Sequence, residues 1–252
     1  MDGSQYLTQA IYTKAKRALG RARARFLGHV ARQNLRSTFT DIYDRNAWGG
    51  VRSASGTGSD VEQTTVIRGA LAELIRRLNI RSILDAPCGD FYWMKACNLE
   101  VERYFGIDIV PQIVAKNREH YGREGVVFIC GDITRERLPQ VDLILCRDCL
   151  VHLSFGRAKA AISNFVRSKS KYLLTTTFPG ANPNQNIISG SWRPLDLQLP
   201  PFSFPEPLIL INESCSEGNG RYSNKSLGLW SLEQINRKWI RRIESWITMK
   251  FA

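Results

Sequence analysis

The stretch SILDAPCGDF, residues 82–91, decides the fold. It joins a short apolar run to an acid, Asp85, and then to a tight turn that contains Pro87 and Gly89. A buried strand followed by such a turn is typical of open α/β sheets, whose ligands bind at the C-terminal ends of the strands. The polar residues of this turn are therefore candidate ligand-binding residues.

Three further apolar runs end in an acid, at Asp108, Asp132 and Asp148. Segments with helical patterns separate most of them, and this alternation predicts an α/β fold with a doubly wound, mostly parallel, seven-stranded Rossmann-like sheet. The predicted strands cover residues 82–85, 103–107, 126–130, 141–147, 171–177, 208–211 and 226–230. The predicted helices cover residues 60–78, 91–97, 111–120 and 155–167.

This order of strands and acids resembles the class I S-adenosylmethionine-dependent methyltransferases over about residues 80–180. The resemblance implies that S-adenosyl-L-methionine is the cofactor. In that family the turn after the first strand passes the methionine part, the second acid holds the ribose hydroxyls, and the third meets the adenine amino group. The cofactor-binding residues that it implies here are Asp85, Pro87, Cys88, Gly89, Asp90, Asp108, Ile109, Asp132 and Ile133.

The residue types fit this cofactor. A carboxylate accepts two hydrogen bonds from a vicinal diol, and Gly89 permits a close approach that a Cβ would obstruct. The family's glycine-rich turn is reduced here to Pro87-Cys88-Gly89, and the G-x-G-x-x-G turn that seats a pyrophosphate is missing, which argues against NAD. Acids that merely end strands as turn residues are the alternative, and three at consecutive strand ends favour a cofactor site.

Residues 46–59 form a loop rich in glycine and small residues, which we predict to cover the cofactor. Its candidate contacts are Trp48, Ser55, Gly56 and Ser59, and an ordinary turn before the next helix is the alternative. Ser59 and Glu62 match the S-x-x-E capping box, which predicts that this helix begins at about residue 60.

The segment after the fourth strand, RDCLVHLS (residues 147–154), holds the candidate catalytic residues. A hydroxyl acceptor must be oriented and must lose its proton. We predict that His152 takes the proton, that Asp148 orients it or binds the acceptor, and that Arg147 binds an acidic or hydroxylated group. A packing or capping role for His152 is the alternative.

The acceptor is predicted to be a hydroxyl of a sugar, glycan or small metabolite. The motifs of several base, RNA and catechol methyltransferases are missing after the fourth and fifth strands. The long loop of about residues 179–207 holds aromatic, amide and Arg side chains that suit a carbohydrate. The stretches SWRPLDLQ (191–198) and KSLGLW (225–230) are also similar to uncharacterised bacterial members and to viral enzymes that methylate glycan sugars. An RNA or protein methyltransferase and a non-enzymatic S-adenosylmethionine-binding assembly protein are the alternatives.

The chain has 252 residues and a net charge of +12, and residues 1–36 hold eight basic residues and one acid. We predict a basic helical extension over residues 1–45 and one methyltransferase domain over residues 46–252. A basic helix over residues 5–36 could bind an anionic membrane surface, RNA or an acidic partner, and of these partners nucleic acid is not favoured. The alternatives are a transit peptide and a solvated helix that packs on the domain.

The six cysteines suggest reduced thiols and a cytoplasmic protein, peripheral at the inner membrane surface if the extension binds lipid. Cys146 and Cys149 have C-x-x-C spacing, but no second pair accompanies them, so we predict neither a metal site nor a redox pair.

Overall fold

The computed structural model describes residues 34–180 and 183–237. Packing divides the chain into two units, residues 1–34 and residues 35–252, and the second unit contains the sheet. The predicted basic helix of residues 5–36 lies, as far as residue 33, outside the described residues.

Seven strands of the described chain form one sheet, in the order β3-β2-β1-β4-β5-β7-β6. β1 to β5 run parallel to their neighbours, and β7 pairs antiparallel with both β5 and β6. The mostly parallel, seven-stranded sheet that the sequence predicts is therefore confirmed. The strands are β1 (Ser82–Asp85), β2 (Arg103–Asp108), β3 (Val126–Cys130), β4 (Leu143–Cys146), β5 (Tyr172–Thr177), β6 (Ile209–Asn212) and β7 (Ser226–Ser231).

Helices cover both faces of the sheet. They are α1 (Leu35–Asp44), α2 (Thr65–Arg77), α3 (Pro111–Tyr121) and α4 (Phe155–Arg167), and a further helical stretch begins at Leu232. Successive strand residues point to opposite faces, so Leu84 packs in the core cluster that contains Phe165 of α4, whereas Ile83 packs in the cluster that contains Leu71 of α2. Both strand residues are fully buried, which explains why β1 is a continuous apolar run.

The chain order creates the crevice in which the site lies. From β1 the chain moves outward through β2 to β3, and it then returns to the other side of β1 to form β4. The connections that leave β1 and β4 therefore turn in opposite directions, which opens a ligand crevice beyond their C-terminal ends.

Two predicted helices differ from the structure. The helix predicted over residues 60–78 begins at Thr65, after a 3-10 turn over Thr57–Ser59, so the Ser59–Glu62 capping box is wrong. The helix predicted over residues 91–97 is a 3-10 turn over Met94–Ala96. Before the first of these helices, Arg147 donates to the carbonyl oxygen of Gly58. Before the second, Asp90 accepts from Ser53 and Ala54. These contacts with distant residues hold the chain there in a form other than an α-helix.

α1 belongs to the second unit, although the sequence places residues 35–45 in the N-terminal extension. Leu35 is only 3% exposed and packs in the same core cluster as Leu84. Among the described residues, no helix combines the length and the apolar character that a membrane crossing requires.

Candidate functional site

A cavity of about 460 Å³ lies at the C-terminal ends of the parallel strands. Every site residue that the sequence predicts lines it. The residues predicted for the cofactor are Trp48, Ser55, Gly56, Ser59, Asp85, Pro87, Cys88, Gly89, Asp90, Asp108, Ile109, Asp132 and Ile133, and those predicted for catalysis are Arg147, Asp148 and His152. The fold thus gathers four strand ends and one loop around a single space.

The turn after β1 is shaped around Gly89. Its φ of +52° lies in the left-handed region, and a Cβ built on it would lie 2.2 Å from Oγ of Ser55. Its N–H donates to Oδ2 of Asp108 (3.1 Å), so the end of β2 fixes the turn. Only glycine satisfies both the backbone angle and the close approach.

Asp108 and Asp132 are buried carboxylates at neighbouring strand ends. Asp108 also accepts from the N–H of Val110 (2.9 Å), whereas Asp132 accepts from the N–H and hydroxyl of Thr134 (2.9 and 2.7 Å) and pairs with Arg135. Burial raises the pKa of Asp108 to about 6, although the backbone N–H donors of Val110 and Gly89 oppose the shift. Both carboxylates keep oxygen lone pairs that a ligand's hydroxyl or amino groups can use.

Asp85 is more deeply buried, at 2% exposure, and its Oδ2 accepts a 2.6 Å hydrogen bond from the hydroxyl of Tyr104. Burial raises its pKa to about 7; the Tyr104 hydroxyl and the charge of Arg147 lower it, and the charge of Asp108 raises it further. Near neutral pH this group therefore exists in both protonation states, and a cationic ligand would favour the ionised one.

Asp90 ties the glycine-rich loop of residues 46–59 to the turn after β1, which is called the cofactor turn from here on. Its Oδ2 accepts from the N–H of Ala54 (2.7 Å), and its Oδ1 accepts from the hydroxyl of Ser53 (3.0 Å). The N–H of Asp90 in turn donates to Oγ of Ser55 (3.2 Å). These bonds hold the loop against the cavity, where the sequence predicts it to lie.

His152 lines the cavity beside Trp48, with the two ring centroids 5.1 Å apart. Its Nδ1 lies 3.0 Å from the carbonyl oxygen of Ser191. A carbonyl only accepts, so Nδ1 carries the proton and Nε2 keeps its lone pair. Burial lowers the pKa of His152, against the opposing charge of Asp148, so the ring is neutral at neutral pH.

Asp148 sits at the end of β4 with φ of +49°, a strained angle for a residue with a side chain. Its N–H donates to Oγ1 of Thr176 (2.8 Å), and its Oδ2 accepts from Nζ of Lys225 (2.6 Å). Burial opposes its ionisation, but the charges of Lys225 and Arg147 outweigh burial and hold the pKa of Asp148 well below its usual range. Asp148 is therefore a carboxylate at every working pH.

Arg147 is less available than the sequence suggests. Its guanidinium donates to both carboxylate oxygens of Glu213 (2.7 and 3.3 Å) and to the carbonyl oxygen of Gly58 (2.9 Å). Both side chains of this ion pair are at most 5% exposed. Arg147 thereby ties the loop over the cavity to the segment between β6 and β7.

The long loop of residues 179–207 contributes differently from what the sequence indicates. Arg193 donates to the carbonyl oxygens of Leu150 and Leu153 (both 2.8 Å), and Asn184 donates to the carbonyl oxygen of Asp196 (2.7 Å). These side chains hold backbone together, so the expectation that they contact an acceptor is wrong. Within the described part of this loop, Trp192 lines the cavity.

Sequence reasoning missed several cavity residues: Leu35, Phe39 and Tyr43 of α1, Phe178 after β5, and Cys215, Glu217, Tyr222 and Lys225 before β7. Lys225 opens the KSLGLW stretch, which was the one available signal. The others reach the cavity through tertiary packing that no local pattern encodes.

The cavity fits S-adenosylmethionine. Three carboxylates at successive strand ends face one space, Gly89 keeps the turn open where a Cβ would intrude, and the volume lies within the range of about 300–1,000 Å³ usual for ligand sites.

Part of the chain matches a known family of domains, and its fold matches solved structures. Residues 83–170 match the family described as a methyltransferase domain. The fold is similar to that of 1,6-didemethyltoxoflavin-N1-methyltransferase of Burkholderia thailandensis, with a TM-score of 0.53 and 17% identity over 78% of this chain and 86% of that one. No curated protein matches the sequence.

More distant likenesses include magnesium protoporphyrin IX methyltransferase of Synechocystis PCC 6803, with a TM-score of 0.45 and 16% identity over 62% of this chain and 82% of that one. The methyltransferase domain of bacterial CtHen1 has a TM-score of 0.41 and 13% identity over 47% of this chain. This chain spans 66% of the CtHen1 domain, slightly less than two thirds.

Proposed function

We propose that this protein is an S-adenosylmethionine-dependent methyltransferase and that it methylates a hydroxyl oxygen of a sugar, glycan or similar small metabolite. The observation that carries the proposal is the state of His152. Its Nδ1 is held by the Ser191 carbonyl, its pKa is lowered by burial, and it lines the same cavity as the cofactor carboxylates. A neutral imidazole with a free Nε2 is the base that a hydroxyl acceptor needs.

S-adenosylmethionine, when bound, supplies a methyl group activated by its sulfonium. The residues of the chain do the rest. Asp108, Asp132 and Asp85 orient the cofactor, the loop fastened by Asp90 shields it from water, and His152 accepts the acceptor's proton at Nε2. Asp148 stabilises the imidazolium that results, because a carboxylate with a low pKa stays charged beside it. Lys225 and Arg147, which both also pair with Glu213, hold Asp148 in place.

Labelled S-adenosylmethionine, incubated with the purified protein and fractionated cell extract, tests the proposal. We expect the label in the saccharide or small-metabolite fraction. Label in RNA or protein would favour the alternative acceptors, and RNA binding that falls with salt yet survives deletion of residues 1–36 would strengthen that alternative. If calorimetry detects cofactor binding but no fraction is labelled, the non-enzymatic assembly protein becomes the better interpretation.

The partners and location predicted for the basic extension remain predictions. An anionic membrane surface, RNA or an acidic protein would meet residues 5–36, most of which lie outside the described residues. The cytoplasmic location, for which the cysteine usage is one of the grounds, is likewise a prediction.

A further inference from the structure

Beside the proposed base, three aromatic rings form one wall of the cavity. Trp192 and Tyr222 pack edge to face with centroids 4.8 Å apart, and Phe178 lies 6.0 Å from Trp192 and 6.2 Å from Tyr222. All three line the cavity, and Trp192 is 40% exposed. Ser191, the chain neighbour of Trp192, holds His152, so these three rings, termed the aromatic wall, are next to the proposed point of proton transfer.

A second wall of the cavity, termed the charged wall, consists of Arg147, Asp148, Lys225 and Glu217, with Glu213 behind them. Nζ of Lys225 donates to Asp148 (2.6 Å) and lies 3.4 Å from a carboxylate oxygen of Glu213. Arg147 pairs with Glu213 (2.7 Å) and lies 3.4 Å from Asp148. In the described chain, Arg147 and Lys225 are the basic side chains that line the cavity, and each has two acid partners.

Arg147 and Lys225 are therefore both already paired with acids, and neither is left to pair with an anionic ligand. Glu217 adds a third carboxylate, which accepts from the hydroxyl of Thr57 (2.6 Å), so acids outnumber bases on this wall. An anionic acceptor would lose its hydration here without gaining an ion pair, and burying an unpaired charge is expensive. Hydroxyl groups meet no such penalty, because they can donate to carboxylate oxygens that already face the cavity.

We propose that the aromatic wall and the Asp148–Lys225 pair form an acceptor subsite for an uncharged polyhydroxylated ring, and that this subsite rejects acidic counterparts such as uronates and sugar phosphates. The C–H face of the ring packs on Trp192 and Tyr222, as apolar faces do on aromatic side chains. Hydroxyls on the ring donate to Asp148 and accept from Lys225, which positions the reacting oxygen. This subsite deepens the proposed function and rests on it.

The charge of the methylated sugar tests the subsite. Saccharide labelled by the wild-type enzyme in cell extract is hydrolysed to monosaccharides, which are separated by charge. We expect the label in a neutral methylated sugar. Label in a uronate or a sugar phosphate would overturn the subsite but leave sugar methylation intact, and an amino sugar that was N-acetylated before hydrolysis counts as neutral. Label in RNA or protein would overturn both.

Substitutions at Trp192 provide the second test, with the labelled neutral saccharide pool as acceptor. We expect Trp192→Ala to raise the acceptor KM at least tenfold and to leave the affinity for S-adenosylhomocysteine, measured by calorimetry, unchanged. Trp192→Phe, which keeps a ring, should recover most of the loss. An unchanged KM in Trp192→Ala, or an equal loss in both variants, would overturn the aromatic wall as a sugar platform.

Discussion

Gly89 and Ser55 approach so closely that a methyl group on Gly89 would lie 2.2 Å from Oγ of Ser55. The two residues belong to the cofactor turn and to the loop that Asp90 fastens over the cavity. Because the two segments touch and are hydrogen-bonded to each other, neither can move without the other. The shape of the part of the cavity that we assign to the cofactor therefore depends on this contact.

Gly89→Ala is expected to weaken S-adenosylmethionine binding at least tenfold. The substitution places a Cβ in the left-handed region, which costs about 1–2 kcal/mol, and it also pushes the loop away through Ser55. Isothermal calorimetry measures the affinity. Gly69→Ala is the matched control, since Gly69 lies in α2 with no atom near its missing Cβ, and alanine should stabilise that helix by about 1 kcal/mol. Equal affinities in both variants would contradict the prediction.

Asp108→Ala is also expected to lower the affinity at least tenfold, because a hydrogen bond to a charged group contributes about 1.5–3 kcal/mol. The variant loses the acceptor for the ribose hydroxyls and the support of the Gly89 N–H. Glu73→Ala, on the exposed face of α2, controls for the loss of one acidic residue. If calorimetry gives Asp108→Ala the affinity of the control, Asp108 does not contact the cofactor.

The buried acid Asp85 should make the ligand-free protein less stable as the pH rises. Its pKa is about 7 in the folded chain against an ordinary 3.8, so between these values the folded state binds the proton more tightly than the unfolded state does. The free energy of unfolding therefore falls as the pH rises through this window, by up to about 1.4 kcal/mol for each pKa unit of difference. Tyr104, Asp108 and Arg147 are the ionisable groups that act on it.

Asp85→Asn removes this titration while keeping an oxygen that accepts from Tyr104. Urea unfolding at pH 5 and pH 8 should show a fall in stability for the wild type that is smaller by at least about 1 kcal/mol in Asp85→Asn. Parallel changes in the two proteins would mean that Asp85 is ionised throughout this range.

His152→Gln is expected to lower kcat by about 10²–10⁴-fold and to leave cofactor affinity unchanged, because the side chain acts on the acceptor's proton. The wild-type rate should be lost as the pH falls through a value below 6.5, since burial lowers the pKa of His152 and only the neutral ring accepts a proton. Assays on the labelled acceptor pool measure both effects. His120→Gln, on the exposed surface of α3, should behave like the wild type. A full rate in His152→Gln would leave His152 with a packing role.

The sequence predicted the sheet because each of the first four strands carries its own signal, an apolar run that ends in an acid. It also predicted that Asp85, Asp108 and Asp132 lie together, and they line one cavity because the strand order sets their positions. It failed where distant contacts decide the local structure. Gly58 is held by Arg147, and its neighbour Thr57 by Glu217, so the chain forms a 3-10 turn where Ser59 was expected to begin a helix.

The part of the cavity that we assign to the acceptor was predicted less well, again because contacts between residues far apart in the sequence decide its structure. Arg147 looked free because its partner, Glu213, is far away in the sequence and becomes a neighbour only when β7 inserts between β5 and β6. Arg193 looked like a ligand-binding residue because its type says nothing about the carbonyl groups that it meets. Side chains that bind backbone groups and side chains that bind a substrate are of the same residue types. Only the packing of the folded chain shows which role a given side chain has.

Leu35, Phe39 and Tyr43 of α1 wall the cavity from upstream of the first strand. A recombinant fragment trimmed to the matched span of residues 83–170 would keep most of β1 to β4, but it would lose β5, α1 and the other cavity residues outside that span. The segment that matches the family, residues 83–170, is smaller than the part of the chain that encloses the cavity. An exchange of this domain with that of a relative would therefore have to include α1 as well as the sheet.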